Sequence, residues 1–207
     1  MTATTERVDK FEERRRELAD GALQTLAELG YARTSLREIA QNTAFSHGVL
    51  HYYFRDKVEL ITYCVRRYKA VCVQRYDEVI ESSGTADELA RGFAEAMAAT
   101  LVADARMHRL WYDLRSQSLY ETAFRDDVRE IDATLENMIG RVLDRYAELI
   151  GGEPALDRPA AYAMFDGLFQ QALLRHLAGE ESATRLRADV ERLLALLLNR
   201  PPRQFPG

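Results

Sequence analysis

The sequence predicts an all-α protein of about nine helices, on three observations. Apolar residues recur at helical intervals of three and four along the whole 207-residue chain. No segment alternates apolar and polar residues between hairpin turns. Breakers and caps divide the chain at Gly30, at Asn42 to Phe45, at Arg55-Asp56, at Ser82-Ser83-Gly84, at Gly151-Gly152 with Pro154, at Arg158-Pro159, at Gly179 and at Pro201-Pro202. Composition agrees: with 47% apolar and 29% charged residues, fibrous, collagen-like and disordered classes are excluded.

The first helix is expected from about Asp9 to Leu29, with Leu18, Ala22, Leu26 and Leu29 inward and Gly30 ending it. Residues to about Thr5 are expected to be disordered. Ser35-Leu-Arg-Glu38 is a capping box heading a two-turn helix that carries Leu36, Ile39 and Ala40 inward. After a turn through Thr43-Ala44-Phe45, Ser46 caps a third helix, His47 to Phe54, in which Leu50 and Phe54 point inward. Asp56-Lys-Val-Glu59 is a second capping box and starts a long fourth helix towards Glu81. Further on, Met107, Leu110, Trp111 and Leu114 form one stripe, and Ile131, Leu135, Met138, Val142, Tyr146 and Leu149 another on a helix from Phe124 to Ile150. The last two helices are expected at about Pro159 to Ala178 and Ser182 to Asn199.

Charge divides the chain. The net charge is -5, but through Lys69 there are 12 basic and 10 acidic side chains, net +2, while the remainder carries 16 and 23, net -7. The longest leucine-rich stretch, Leu193 to Leu198, is far short of the roughly 20 apolar residues of a bilayer span, and the start has no apolar signal core. A cytoplasmic protein with no membrane partner is expected. Cys64 and Cys72 on one helix would lie about 12 Å apart, too far for a disulfide, so both are read as reduced, half-buried thiols.

Two short helices joined by a four-residue turn and braced by a longer one make a helix-turn-helix, whose second short helix enters the major groove. Ser46, His47, His51, Tyr52 and Tyr53 crowd that helix with hydrogen-bonding groups that a core helix would not expose. Gly48 fits either a close approach to DNA or an ordinary helix-end glycine. His47 and His51 stand at i, i+4, a spacing of two metal ligands, but no glutamate, cysteine or third histidine is local, so neither metal nor cofactor is expected. Arg14-Arg15-Arg16 is either a solvated face or an approach to flanking phosphates. No phosphate loop, His-Glu-x-x-His or Gly-x-Ser-x-Gly motif is present, which speaks against an enzyme.

Arg14 to about Leu60 resembles the TetR family of bacterial transcriptional regulators, through Ala22, Leu26, Gly30-Tyr31, Ser35-Leu-Arg-Glu-Ile-Ala40, Ser46-x-Gly48, Tyr53-Phe54 and Lys57-x-x-Leu60. The run Ser46 to Lys57 is most similar to the branch of the choline-responsive repressor of the betaine pathway. His51 stands where most members have tyrosine, and Ala44 replaces the usual turn glycine. An alanine at positive φ would cost roughly 1 kcal/mol, so a shifted turn is expected. The resemblance implies an N-terminal helix-turn-helix domain of three helices and a C-terminal helical regulatory and dimerisation domain. The corresponding segments are 1-55 for the arm and reading head, 56-81 for connecting helix 4, 82-200 for ligand binding and dimerisation, and 201-207 for the tail.

The expected DNA-facing residues are Ser35, Arg37, Ser46, His47, Gly48, His51, Tyr52, Tyr53 and Lys57, the last matching the family lysine that reaches a phosphate. His108, Trp111, Tyr112, Arg115, Tyr120, Phe124, Tyr162, Phe165 and Phe169 are either aromatic core or, as the resemblance implies, walls of a small-molecule effector pocket. A quaternary ammonium suits aromatic walls, but Arg109 and Arg115 would repel a cation unless they face away, and hydrophobic or anionic effectors fit the sequence equally well. Gly167, Leu168, Gln171, Leu174, Val190, Leu194 and Leu197 are the expected contacts of a homodimer, because helices apolar on two sides need two partners. The expected function is a homodimeric repressor on palindromic operator DNA, relieved by an effector; an all-α enzyme or a helical scaffold that does not bind DNA is the alternative.

Overall fold

The computed structural model describes residues 2–31 and 33–199, so the expected tail at 201–207 lies outside the described residues. They form nine α-helices: α1 (Thr2–Leu29), α2 (Leu36–Gln41), α3 (His47–Tyr53), α4 (Lys57–Ser82), α5 (Ala86–Ala103), α6 (Ala105–Gln117), α7 (Arg125–Ile150), α8 (Arg158–Leu177) and α9 (Ala183–Leu196). A 3-10 turn, Thr122–Phe124, precedes α7. The chain packs as two compact units. One comprises Met1–Tyr68 and Arg106–Arg129; the other comprises Lys69–Ala105 and Glu130–Gly207. This partition by packing interleaves along the chain, whereas the division expected above is linear and functional.

In the first unit, helix α1 runs to Thr2, several residues beyond the expected start. No proline or glycine interrupts residues 2–20, so the segment expected to be disordered continues the helix. Gly30 ends α1 at φ +75°, its N–H donating to Leu26 O at 2.9 Å. Leu18, Ala22 and Leu26 are buried, as are Leu36, Ile39, Leu50, Phe54, Leu60, Ile61 and Val65 in the helices that follow. The Ser35 box forms as expected: Ser35 Oγ accepts from Glu38 N at 3.2 Å, and Glu38 Oε2 accepts from Ser35 N at 2.8 Å. Ser46 Oγ accepts from Val49 N at 3.3 Å and heads α3. The Asp56 box is displaced by one residue. Asp56 Oδ1 accepts from Glu59 N at 2.9 Å, but Glu59 Oε2 reaches Arg55 N, also at 2.9 Å, rather than Asp56 N.

No non-glycine residue among those described has positive φ, so Ala44 closes the α2–α3 turn in an ordinary conformation. Gly21 makes room for that turn. A Cβ there would lie 2.6 Å from Cε2 of Phe45, the residue whose ring also lies 5.3 Å below the Arg14 guanidinium. The turn is thereby seated on α1.

In the second unit, α9 packs against α5 and α8. Phe93 of α5 is the centre of an aromatic stack, edge-to-face with Phe165 at 5.4 Å and with Tyr76 at 5.5 Å. Thr85 and Glu88 form a capping box at the head of α5, and Asp157 Oδ1 accepts from Ala160 N at 2.9 Å to cap α8. The boundary between α5 and α6 falls at Asp104, with neither glycine nor proline to announce it. The all-α expectation needs one small amendment, because Glu153–Pro154 and Leu198–Asn199 pair as two-residue antiparallel strands, β1 and β2. Cys64 and Cys72 form no disulfide, and both are buried rather than half-buried.

Candidate nucleic-acid interface

Helix α3 is anchored on one side and bare on the other. Leu50 and Phe54 are buried beneath it, while Ser46, His47, Gly48, His51 and Tyr52 are exposed. Ser35 and Arg37 are also exposed, and Tyr53 and Lys57 are half-buried. The Ser35 and Ser46 oxygens accept backbone N–H groups, which leaves each hydroxyl proton free to donate. His47 and His51 lie on one face with ring centroids 4.4 Å apart. A Cβ placed on Gly48 would meet nothing within 4 Å, so no packing inside the protein requires glycine there. Bare backbone flanked by planar hydrogen-bonding side chains is suited to close approach by base edges and phosphates.

Two features of this surface were not legible in sequence. Phe11 of α1 lies 4.8 Å from the Tyr53 ring and 6.2 Å from the Tyr52 ring, so the first turns of α1 buttress the outer end of α3. Lys57, expected to point at phosphate, donates from Nζ to the Tyr31 carbonyl at 3.2 Å and lies 3.9 Å over the Tyr31 ring. An ammonium has three N–H donors, so this does not consume it.

The arginine run divides by role. Arg15 is sandwiched between the Phe54 and Tyr63 rings at 4.8 and 4.7 Å and donates to Glu59 at 2.8 Å, which makes it part of the head's framework. Arg14 pairs with Glu17, and Arg16 is exposed. A cleft of about 460 Å³ beside Arg15 is lined by further arginines, but Arg55 pairs with Glu59, Arg66 with Asp127 and Arg67 with Asp20, so their charges are already balanced.

Tyr31 is tied to three residues that follow it by more than eighty positions. Its N–H donates to Asp113 Oδ2 at 2.8 Å, its hydroxyl to Glu121 Oε2 at 3.0 Å, and its ring packs edge-on to Phe124 at 4.9 Å. Burial first, and then the bond to Glu121, push its phenol up to about 12 from the ordinary 10. A raised folded-state value favours the neutral form in the folded chain. The stability it contributes is fully present below pH 10 and is lost as pH rises towards 12. Denaturant titrations across that window are expected to show a shallower alkaline loss for Tyr31→Phe than for the unmodified protein. Equal slopes would contradict the assignment.

The expected pocket residues separate into two groups. In the first unit, Trp111 is buried, Tyr112 and Arg115 are half-buried, and buried His108 holds the Tyr68 hydroxyl at 3.1 Å from Nε2. One expectation needs correction there: Tyr120 is 84% exposed on the turn after α6, so it is not part of an aromatic core, whereas Phe124 is core and packs edge-on to Tyr31. In the second unit, Phe165 is stacked on Phe93, Phe169 is buried, and Tyr162 donates to Asp132 at 2.6 Å. Lys69, not singled out from sequence, is buried in that unit as well.

The expected dimer face also needs correction. On α8, Gln171 and Leu174 are exposed, Gly167 and Leu168 are half-exposed, and Met164 and Leu177 extend the apolar strip. On α9, however, Val190, Leu194 and Leu197 are buried within the protomer, because the stripe they share with Leu186 and Leu193 faces its own neighbours. The bare apolar residue of α9 is Leu196, 71% exposed.

Residues 18–64, which span this head from Leu18 to Cys64, match the family model of bacterial regulatory proteins of the tetR family, and residues 86–199 match that of the BetI-type transcriptional repressor C-terminal domain. The chain belongs to the TetR family. Both matched models are of transcriptional regulators. This TetR-family protein is 39% identical over 49 residues to the HTH-type transcriptional repressor Rv1474c of Mycobacterium tuberculosis, a match covering 24% of this chain and 26% of that repressor. The matched part thus spans about a quarter of that relative's length. Among solved structures, a transcriptional regulator from Saccharomonospora viridis in complex with choline aligns with TM-score 0.74 at 18% identity, covering 91% of this chain and 100% of that one. The regulator FadR of Bacillus subtilis in complex with stearoyl-CoA aligns with TM-score 0.71 at 20% identity, covering 86% and 96%. At those identities the likeness concerns the fold. Among the described residues, no helix is long and apolar enough to cross a membrane.

Proposed function

We propose that this TetR-family protein is a homodimeric repressor that reads palindromic operator DNA with one α3 helix from each protomer and leaves it when a small-molecule effector binds. The observation that carries the DNA reading is the bare face of α3 around Gly48, where open space coincides with Ser46, His47, His51 and Tyr52. Two such helices related by a twofold axis read half-sites separated by about one helical turn or somewhat more. An effector acts by favouring the protomer arrangement in which the two helices are wrongly spaced, which requires different affinities for the two arrangements. Selection of duplexes from a random library tests the reading. Enrichment of an inverted repeat is expected, and a flat library would remove it.

The apolar strip of α8 supports the dimer. Leu174 is 57% exposed and Gly167 leaves open space beside it, so a second copy of α8 can approach closely. Leu174→Glu leaves the protomer core untouched but places unpaired carboxylates in a twofold contact, at several kcal/mol. Sedimentation is expected to show dimer dissociation at least about 100-fold easier, with helicity unchanged. A stable dimer of Leu174→Glu would place the contact elsewhere.

The effector proposed is a quaternary amine of the choline kind. The BetI-type match over 86–199 supports it, as does the pairing of a carboxylate with an aromatic ring in Asp132 and Tyr162. A ligand that binds only the native state raises its thermal midpoint. Choline is expected to do so here, whereas stabilisation by stearoyl-CoA alone would replace the amine with a long-chain acyl ligand.

A further inference from the structure

We infer that Tyr31 is the positioning residue for a phosphate contact by Lys57, and that Asp113, Glu121 and Phe124 hold Tyr31 in the place from which it does so. The inference rests on the DNA-binding role proposed above. A lysine stem has four rotatable carbons, and an exposed ammonium samples many positions. Here two features of one residue confine it, since the Tyr31 carbonyl accepts one N–H at 3.2 Å and the face of the same ring lies 3.9 Å below the charge. The ammonium keeps donors for a phosphate oxygen.

Tyr31 does not hold that position by local structure alone. It follows Gly30, whose φ of +75° makes the turn out of α1. Asp113 of α6 then takes the Tyr31 N–H at 2.8 Å, which fixes the peptide on the amino side of the residue whose carbonyl Lys57 uses. The Asp113 carboxylate lies 3.2 Å from where a Cβ on Gly30 would stand, a tight contact at a position whose positive φ already favours glycine. Glu121 and Phe124, just beyond α6, fix the hydroxyl and the ring. The same helix grips the end of α1 again: Arg109 donates to Ala27 O at 2.6 Å and Glu28 O at 3.0 Å, and Arg106 pairs with Glu28 at 3.1 Å. α6 thus reaches Lys57 through Tyr31, and none of Asp113, Glu121 or Phe124 belongs to the exposed face of α3.

The test is the salt dependence of binding to a selected duplex, because its slope counts phosphate contacts rather than overall affinity. Lys57→Ala is expected to lower the slope's magnitude by about 0.9 for each engaged head. Asp113→Ala and Tyr31→Leu are expected to lower it by a large part of the same amount, and to add nothing in a Lys57→Ala background. Tyr31→Phe keeps the ring and the carbonyl and is expected to retain the slope. A merely destabilised head would lose active fraction without changing its slope. A folded Asp113→Ala or Tyr31→Leu protein with the original slope overturns the inference, as does an unchanged slope in Lys57→Ala. Amide exchange of the unmodified protein tests it without substitution: duplex binding is expected to slow exchange across 105–121, and no change there overturns it. If the unmodified protein selects no duplex, it is the DNA reading that falls, and the inference falls with it.

Discussion

Gly48→Leu is expected to abolish selective DNA binding while leaving the protein as stable as before, or slightly more so. The space around a Cβ at this position is open, so a side chain can leave the backbone without strain, and replacing a helical glycine gains at most about 1 kcal/mol. On DNA the same side chain stands between the helix backbone and the groove. Holding α3 off by the width of a side chain removes several base and phosphate contacts, each worth about 1–3 kcal/mol, so affinity falls by at least about 100-fold. Gly48→Ala should show the same separation in weaker form. Paired denaturation and binding titrations check it. A variant that binds as before would make Gly48 an ordinary helix-end glycine.

Phe54→Ala is the opposite kind of change and carries the largest expected loss of stability. Phe54 is 1% exposed, closes the end of α3 and forms one side of the slot that holds the Arg15 guanidinium. Truncating a buried phenylalanine costs about 3–5 kcal/mol, and total stabilities are only about 5–15 kcal/mol. Arg15 loses a cation–π partner in the same step, which leaves its bond to Glu59 more exposed to water. Denaturant unfolding is expected to shift by that amount, with DNA binding lost in proportion to the folded fraction. A shift below about 1 kcal/mol would mean that α3 is not anchored through Phe54.

The two variants mark how far the sequence could be read. The Ser35 and Ser46 caps and the buried positions Leu50 and Phe54 depend on residues within four of each other, and local spacing reveals them. The bare face of α3 follows from the same spacing. Periodicity assigns residues to a stripe but not to what covers the stripe, which is why Val190, Leu194 and Leu197 were expected at a dimer face and lie instead in the protomer core. Tyr120 and Phe124 show the same ambiguity, one exposed on a turn and the other beneath Tyr31. Asp104 ends α5 without a glycine or proline, so no local signal marks that boundary. The ties from Tyr31 to Asp113 and Glu121 join residues 82 and 90 positions apart, and no pattern in either segment alone encodes them. The site's outward residues were therefore legible, and its supports were not.

The charge balance sets the most direct test of the whole account. The net charge is -5, and the segment through Lys69 is only weakly basic, so attraction to arbitrary DNA is small and the proposed operator binding rests on placed contacts from two heads. The decisive measurement is the affinity for a selected inverted repeat against a scrambled duplex at physiological salt, with the number of chains bound per duplex. Two chains on the repeat, at least about 1,000-fold tighter than on the scrambled duplex, is the predicted result. Equal affinity for both, or tight binding to any duplex, would contradict it.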